Sequence, residues 1–235
     1  MLFVAATVTS ILGGVVLGSA LDGRNYLVGL ASQESQVILA ALLFLISATT
    51  AVGTAFVLFP ILVRQAEGLA IGYVGLRVFE SVFYIAGAVA LLTMLTVSQS
   101  DTASAANAAS LSLLGAALLA LFDWSVLIGT LVFLALGSLT LNYVLFQSRL
   151  VPRWLSVFGL AGAALALVYG LIGIFGWGSS GLTSPYALLA MPIAVQEMVF
   201  AAWLIVKGFD QRAIQGHAPE LRVGTSVTRR PQPTA

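Results

Sequence analysis

Residues 69–97 read LAIGYVGLRVFESVFYIAGAVALLTMLTV, an apolar run whose only charges are Arg77 and Glu80. A helix of about 20 apolar residues crosses the hydrocarbon core of a bilayer, which is roughly 30 Å thick. This run exceeds that length, so it can cross at a tilt. It must cross as a helix, because lipid offers no water to satisfy backbone N–H and C=O groups. A barrel strand would alternate apolar and polar residues over segments of about ten, whereas this run is continuous. Its polar side chains gather on one face. Tyr73, Arg77, Glu80, Ser81 and Tyr84 follow the spacing i, i+4, i+7, i+8 and i+11 of a helical stripe.

Runs of the same kind flank it on both sides: Met1–Leu21, Val37–Phe59 closed by Pro60, Ala108–Phe146, Leu155–Phe175 and Tyr186–Lys207. The region Ala108–Phe146 is too long for one simple crossing at about 1.5 Å per residue. Asp123-Trp124 divides it into an interfacial or re-entrant approach, Ser110–Phe122, and a crossing, Trp124–Phe146, with Asp123 as the expected N-cap of the crossing. Pro152 and Pro185 stand just before the last two runs, where a first-turn proline loses no hydrogen bond.

Composition agrees. The 235 residues are 60% hydrophobic and 8% charged, against about 25% charged in soluble domains. So few charges cannot furnish a water-facing surface. The expected fold is therefore all-α: a polytopic bundle of about six transmembrane helices spanning residues 1–209. A polar tail, 210–235, follows it without apolar periodicity and is expected to be disordered.

The basic residues set an orientation. Arg64, Arg149, Arg153, Lys207, Arg212, Arg222, Arg229 and Arg230 all fall on one side of the threading, and Arg24 alone on the other. Both termini are accordingly expected in the cytoplasm, with the bundle in the cell (inner or plasma) membrane. Trp154, Trp177 and Trp203 fall near the ends of runs, as an aromatic belt would place them. Met1–Ala20 also reads as a signal peptide ending at Gly18-Ser19-Ala20, but it lacks the basic start and is long for such a segment. A natural start somewhat upstream would equally explain the missing basic residues.

Three ionisable residues lie inside the runs: Arg77, Glu80 and Glu197. Each costs about 2.5–3.5 kcal/mol at a helix centre, so they must face inward and find partners. Glu197 lies about 15 Å along its helix from Lys207, and Glu80 about 16 Å from the start of its own at the same side, so the two carboxylates share a depth. Ser81 and Tyr84 continue that face, and the neighbouring run offers Thr50 and Thr54. Pro192 is expected to kink the last helix beside Glu197. Two readings follow. Arg77 is a structural clamp on both carboxylates, or the carboxylate in excess holds a proton, a cation or a substrate's positive group, as buried acids in transporters do. The small-residue pairs Gly14/Gly18, Gly159/Ala163 and Gly162/Ala166 read as close helix packing.

What is missing narrows the field. Without cysteine there is no thiol chemistry, thiolate metal site or disulfide. The single histidine, His217, is in the tail, so an intramembrane haem, zinc or Ser-His site is not expected. There is no phosphate-binding GxxxxGK[ST] loop and no dense basic stretch for nucleic acid. The expected protein is not an enzyme and carries no metal or cofactor. Its partners are the lipid bilayer and a small molecule or proton, and a homo-oligomer is compatible with the sequence without being required by it.

Gly75-Leu76-Arg77-Val78-Phe79-Glu80, Leu127-Ile128-Gly129, the loop Ser148-Arg149-Leu150-Val151-Pro152-Arg153-Trp154-Leu155, and Glu197 followed by Trp203-Leu204-Ile205-Val206-Lys207-Gly208 together resemble the bacterial membrane family known as domain of unknown function 4386. The resemblance covers roughly residues 1 to 209. It implies a multi-pass membrane protein and assigns no activity. The functional hypotheses from the charged cluster are a small permease or proton-coupled transporter, and a non-enzymatic scaffold or regulatory subunit in which the charges are a structural clamp.

Overall fold

A computed structural model describes residues 1–18, 20–21, 26–99, 108–177 and 185–210. Arg24 and the expected tail with Arg212, His217, Arg222, Arg229 and Arg230 lie outside the described residues. Every regular element among those described is helical. They are α1 (Leu2–Leu17), α2 (Tyr26–Leu30), α3 (Glu34–Leu62), α4 (Glu67–Ser98), α5 (Ala108–Val126), α6 (Leu134–Ser148), α7 (Arg153–Ile174) and α8 (Met191–Val206). Short 3-10 segments, Ala31–Gln33 and Pro185–Ala190, lead into α3 and α8, and a π-helical stretch, Leu127–Phe133, joins α5 to α6.

Helical segments long and apolar enough to cross a membrane are Ala31–Leu62, Glu67–Ser98, Ser110–Ser148, Arg153–Ile174 and Leu188–Val206. The chain is therefore a membrane protein. α1 is equally apolar but has only 16 residues, a length of about 24 Å.

Four expectations need correction. The region of the fourth crossing is one unbroken helical segment of 39 residues, so Ser110–Phe122 is not a separate re-entrant approach. Asp123 lies inside α5 and caps nothing. No glycine or proline flanks Asp123, and the alanines and leucines around it favour continuing the helix over breaking it. α3 does not stop before Pro60 but runs through it to Leu62, and Val63 N–H still reaches Phe59 O at 2.9 Å. Pro60 sits in the last turn, where the one bond it removes does not unravel the helix. Pro192 does not kink a continuing helix, because α8 begins beside it. Its missing N–H falls in the first turn, where no partner exists for it.

The helices close into a ring. α1 packs on α3, α3 on α4, α4 on α6, α6 on α7, α7 on α8, and α8 returns to α1. Inside, one end is filled by Leu17, Leu30, Val37, Phe44, Leu91, Met94 and Phe122. The other end holds Phe3, Leu58, Leu62, Tyr73, Leu145, Leu155 and Phe200. Between these apolar layers the buried residues turn polar: Ser47, Thr54, Arg77, Glu80, Ser81 and Glu197. Outward, Phe56, Val57, Phe79 and Val82 are exposed, a surface suited to lipid.

Small residues set the closest approaches. A Cβ at Gly162 would stand 2.9 Å from the backbone N of Ile193, so α7 and α8 touch main chain to main chain here. Gly159 makes room for the amide of Asn142, and Ala163 and Ala166 are fully buried. On α1 the tight position is Gly13, against Phe44, whereas Gly18 ends the helix at φ 49. Gly18 of the expected Gly14/Gly18 pair thus lies at the C-cap of α1.

Candidate functional site

Arg77 projects from the middle of α4 into the polar layer and is 2% exposed. Its guanidinium donates from Nη1 to Glu80 Oε2 at 2.9 Å and from Nη2 to Glu197 Oε1 at 3.4 Å. Its Nε donates to the Tyr73 hydroxyl at 3.3 Å, one turn back on the same helix. The rings of Phe3 and Tyr73 each lie 5.6 Å from the guanidinium carbon, within cation–π range. Planar donors in a fork suit an arginine to hold two carboxylates at once, which a lysine's point charge does less well.

The two carboxylates are held differently. Glu197 accepts from Arg77 on Oε1 and from the Thr7 hydroxyl on Oε2, the latter at 2.7 Å. Glu80 accepts from Arg77 on Oε2, and among the described residues its Oε1 receives no hydrogen bond. One guanidinium faces two carboxyl groups, so the cluster carries a carboxyl in excess.

Of the other residues singled out by spacing, Ser81 donates both to Arg77 O at 2.9 Å and to Ala48 O at 2.8 Å, joining α4 to α3. The Tyr84 hydroxyl pairs with Ser10 at 2.8 Å. Thr54 is buried beside the cluster, with its hydroxyl donated to Thr50 O at 2.8 Å. Thr50 is bonded to its own helix, at Ile46 O, and does not reach the charges.

α1 supplies residues that sequence spacing had not singled out. Thr7 reaches Glu197, Thr9 pairs with Ser47 at 2.7 Å, and Ser10 reaches Tyr84. Three hydroxyls within one turn of an apolar helix are the available signal. A second polar contact joins Gln196 Nε2 to Asn142 Oδ1 at 3.2 Å, and Asn142 Nδ2 donates to Ser138 O at 2.9 Å. Replacing Thr7 with valine leaves Glu197 Oε2 without its donor. The expected loss is about 1–3 kcal/mol, read as a lower thermal midpoint in detergent.

A cavity of about 180 Å³ opens on the cluster. Its walls come from α1 (Phe3, Ala6, Thr7, Ser10, Ile11), α3 (Ser47, Thr54), α4 (Arg77, Glu80, Tyr84) and the π-helical stretch with α6 (Thr130, Leu131, Leu134). Ala166, Ala190, Ile193, Ala194 and Glu197 complete it. The π-helical stretch lies tight on α4: a Cβ at Gly129 would stand 2.7 Å from Phe83 Cβ. Stretches of this kind recur at functional sites. Among the described residues no group of three His, Cys, Asp or Glu side chains is arranged to hold a metal.

A family model described as Domain of unknown function (DUF4386) matches residues 1–208. No curated protein and no solved structure matches the chain.

Proposed function

Since the chain belongs to the DUF4386 family, whose description assigns no activity, we propose a function from the site alone: a small permease coupled to proton movement. In this reading α1 is the sixth crossing, both termini are cytoplasmic, and the protein sits in the cell membrane. Glu80 and Glu197 take the proton or the cation, and Arg77 is their counter-ion. The supporting observation is the cavity within the helix ring, walled by two carboxylates and a single guanidinium. Ionisable groups held at membrane depth and facing a cavity mark ion and proton paths in transporters.

The test is reconstitution into liposomes with an entrapped pH dye and a panel of small molecules outside. Glu197→Gln is expected to abolish proton-coupled flux while the thermal midpoint in detergent moves by only a few degrees. A wild type that carries no flux, together with a Glu197→Gln protein that unfolds, sinks the permease reading.

That second outcome belongs to the other reading, a scaffold or regulatory subunit with the cluster as a clamp. It is favoured by how fully Glu197 is engaged: both of its oxygens are hydrogen-bonded, to residues on two different helices. A clamp predicts a partner that stays bound through purification and no flux under any gradient.

A further inference from the structure

Resting on the reading of the cluster as a ligand site, we propose that the cavity takes a small organic ammonium ion and that Glu80, rather than Glu197, receives it. The difference in engagement carries the assignment. Glu197 is tied on both oxygens, to Arg77 and Thr7. Glu80 is 2% exposed and lines the cavity, yet only its Oε2 is engaged by Arg77. Glu80 thus presents an oxygen without a donor in a residue that lines the cavity, and Glu80 Oε1 is where a donor from outside the chain completes the site.

The chemistry of that donor follows from charge and walls. One guanidinium against two carboxyl groups leaves room for one positive charge and disfavours an anion. A hard metal cation stripped of water wants about six oxygen ligands. The walls are instead largely apolar, with Ala6, Ile11, Leu131, Leu134 and Ile193, and each hydroxyl among them already hydrogen-bonds within the chain. An ammonium head on Glu80 with an apolar body against these side chains satisfies both parts. The cavity volume of about 180 Å³ is below the roughly 300–1,000 Å³ of pockets for drug-sized ligands, which limits that body to about one ring.

The probe is benzylammonium, with benzyl alcohol as its uncharged match, titrated by calorimetry into the full chain in detergent. Benzylammonium is expected to bind at least about tenfold more tightly than the alcohol. Glu80→Gln is expected to weaken it about tenfold or more, and further than Glu197→Gln, which removes the surplus charge but not the direct partner. Equal binding of the alcohol, or full affinity in Glu80→Gln, overturns the assignment. Should Glu80→Gln not survive purification, Ala194→Phe fills the cavity from α8 and leaves every charged residue in the sequence. It is expected to abolish binding, and retained binding overturns the proposal. The permease reading is separable from this one. Benzylammonium that binds but is not carried into liposomes leaves the site standing and removes the permease. Proton flux without benzylammonium binding does the reverse.

Discussion

Arg77→Met is expected to cost the purified protein about 3–5 kcal/mol, the range for breaking a buried ion pair by removing one partner. Methionine keeps much of the volume, so the loss reports on charge rather than on a hole. The guanidinium serves Glu80, Glu197 and Tyr73 together and stacks near the rings of Phe3 and Tyr73. Without it, two carboxyl groups face each other in a layer with apolar packing on both sides. The measurement is the thermal midpoint and the monodisperse fraction in a mild detergent. The combination with Glu80→Gln and Glu197→Gln discriminates further. Once both acids are neutral, the missing arginine should matter far less, so the triple variant should recover stability relative to the single one. A single variant as stable as wild type would show that the cluster does not hold the helices in register.

Gly162→Val should be the most damaging change outside the charges. The added Cβ stands 2.9 Å from Ile193 N and 3.1 Å from Ile193 Cα, and main-chain atoms cannot rotate away as a side chain can. α8 must move off α7. Overpacking of this kind costs about 1–3 kcal/mol, occasionally more. Glu197 lies one turn beyond Ile193 on the same helix, so the displacement also shifts its carboxylate away from Arg77 and Thr7. Flux and ligand binding should fall together with stability, even though valine touches no polar residue. Gly72→Ala is the matched control. Nothing lies within 4 Å of its added Cβ, and alanine is the better helix former by about 0.8–1.0 kcal/mol. A neutral or stabilising Gly72→Ala beside a crippled Gly162→Val separates helix contact from helix propensity. Equal effects would remove the argument from close approach.

Much of this architecture is legible in the residues themselves. A helix that carries only Arg77 and Glu80 among apolar neighbours must turn them inward, and the deficit of charge overall leaves no other environment than lipid. Glu197 stands out by the same rule. Less visible are groups whose polarity costs little when they face lipid. Thr7, Thr9 and Ser10 belong to this class, since a hydroxyl can always return its hydrogen bond to its own helix, as Thr9 also does to Ala5 O. Their contribution shows only once α1 is laid against α3, α4 and α8. Asn142 and Gln196 likewise become a pair only through packing, across the gap left by Gly159. Asp123 misleads for the opposite reason. A lone acid inside a long apolar run looks like a boundary, yet α5 continues through it to Val126. The π-helical stretch has no composition of its own to announce it.

The hydrogen bond from Thr7 to Glu197 spans 190 residues of chain, and it joins α1 to α8. In a protein threaded into the bilayer from its N-terminal end, the early helices can pair Arg77 with Glu80 while both are still near neighbours on one helix, a neutral arrangement that lipid tolerates better than either charge alone. The surplus negative charge arrives only with α8. Until that moment the bundle is an open trough, and Thr7 and the far side of the guanidinium have no partner from α8. Closure of this bundle therefore waits for α8, which both completes the wall and brings in the acid that completes the centre.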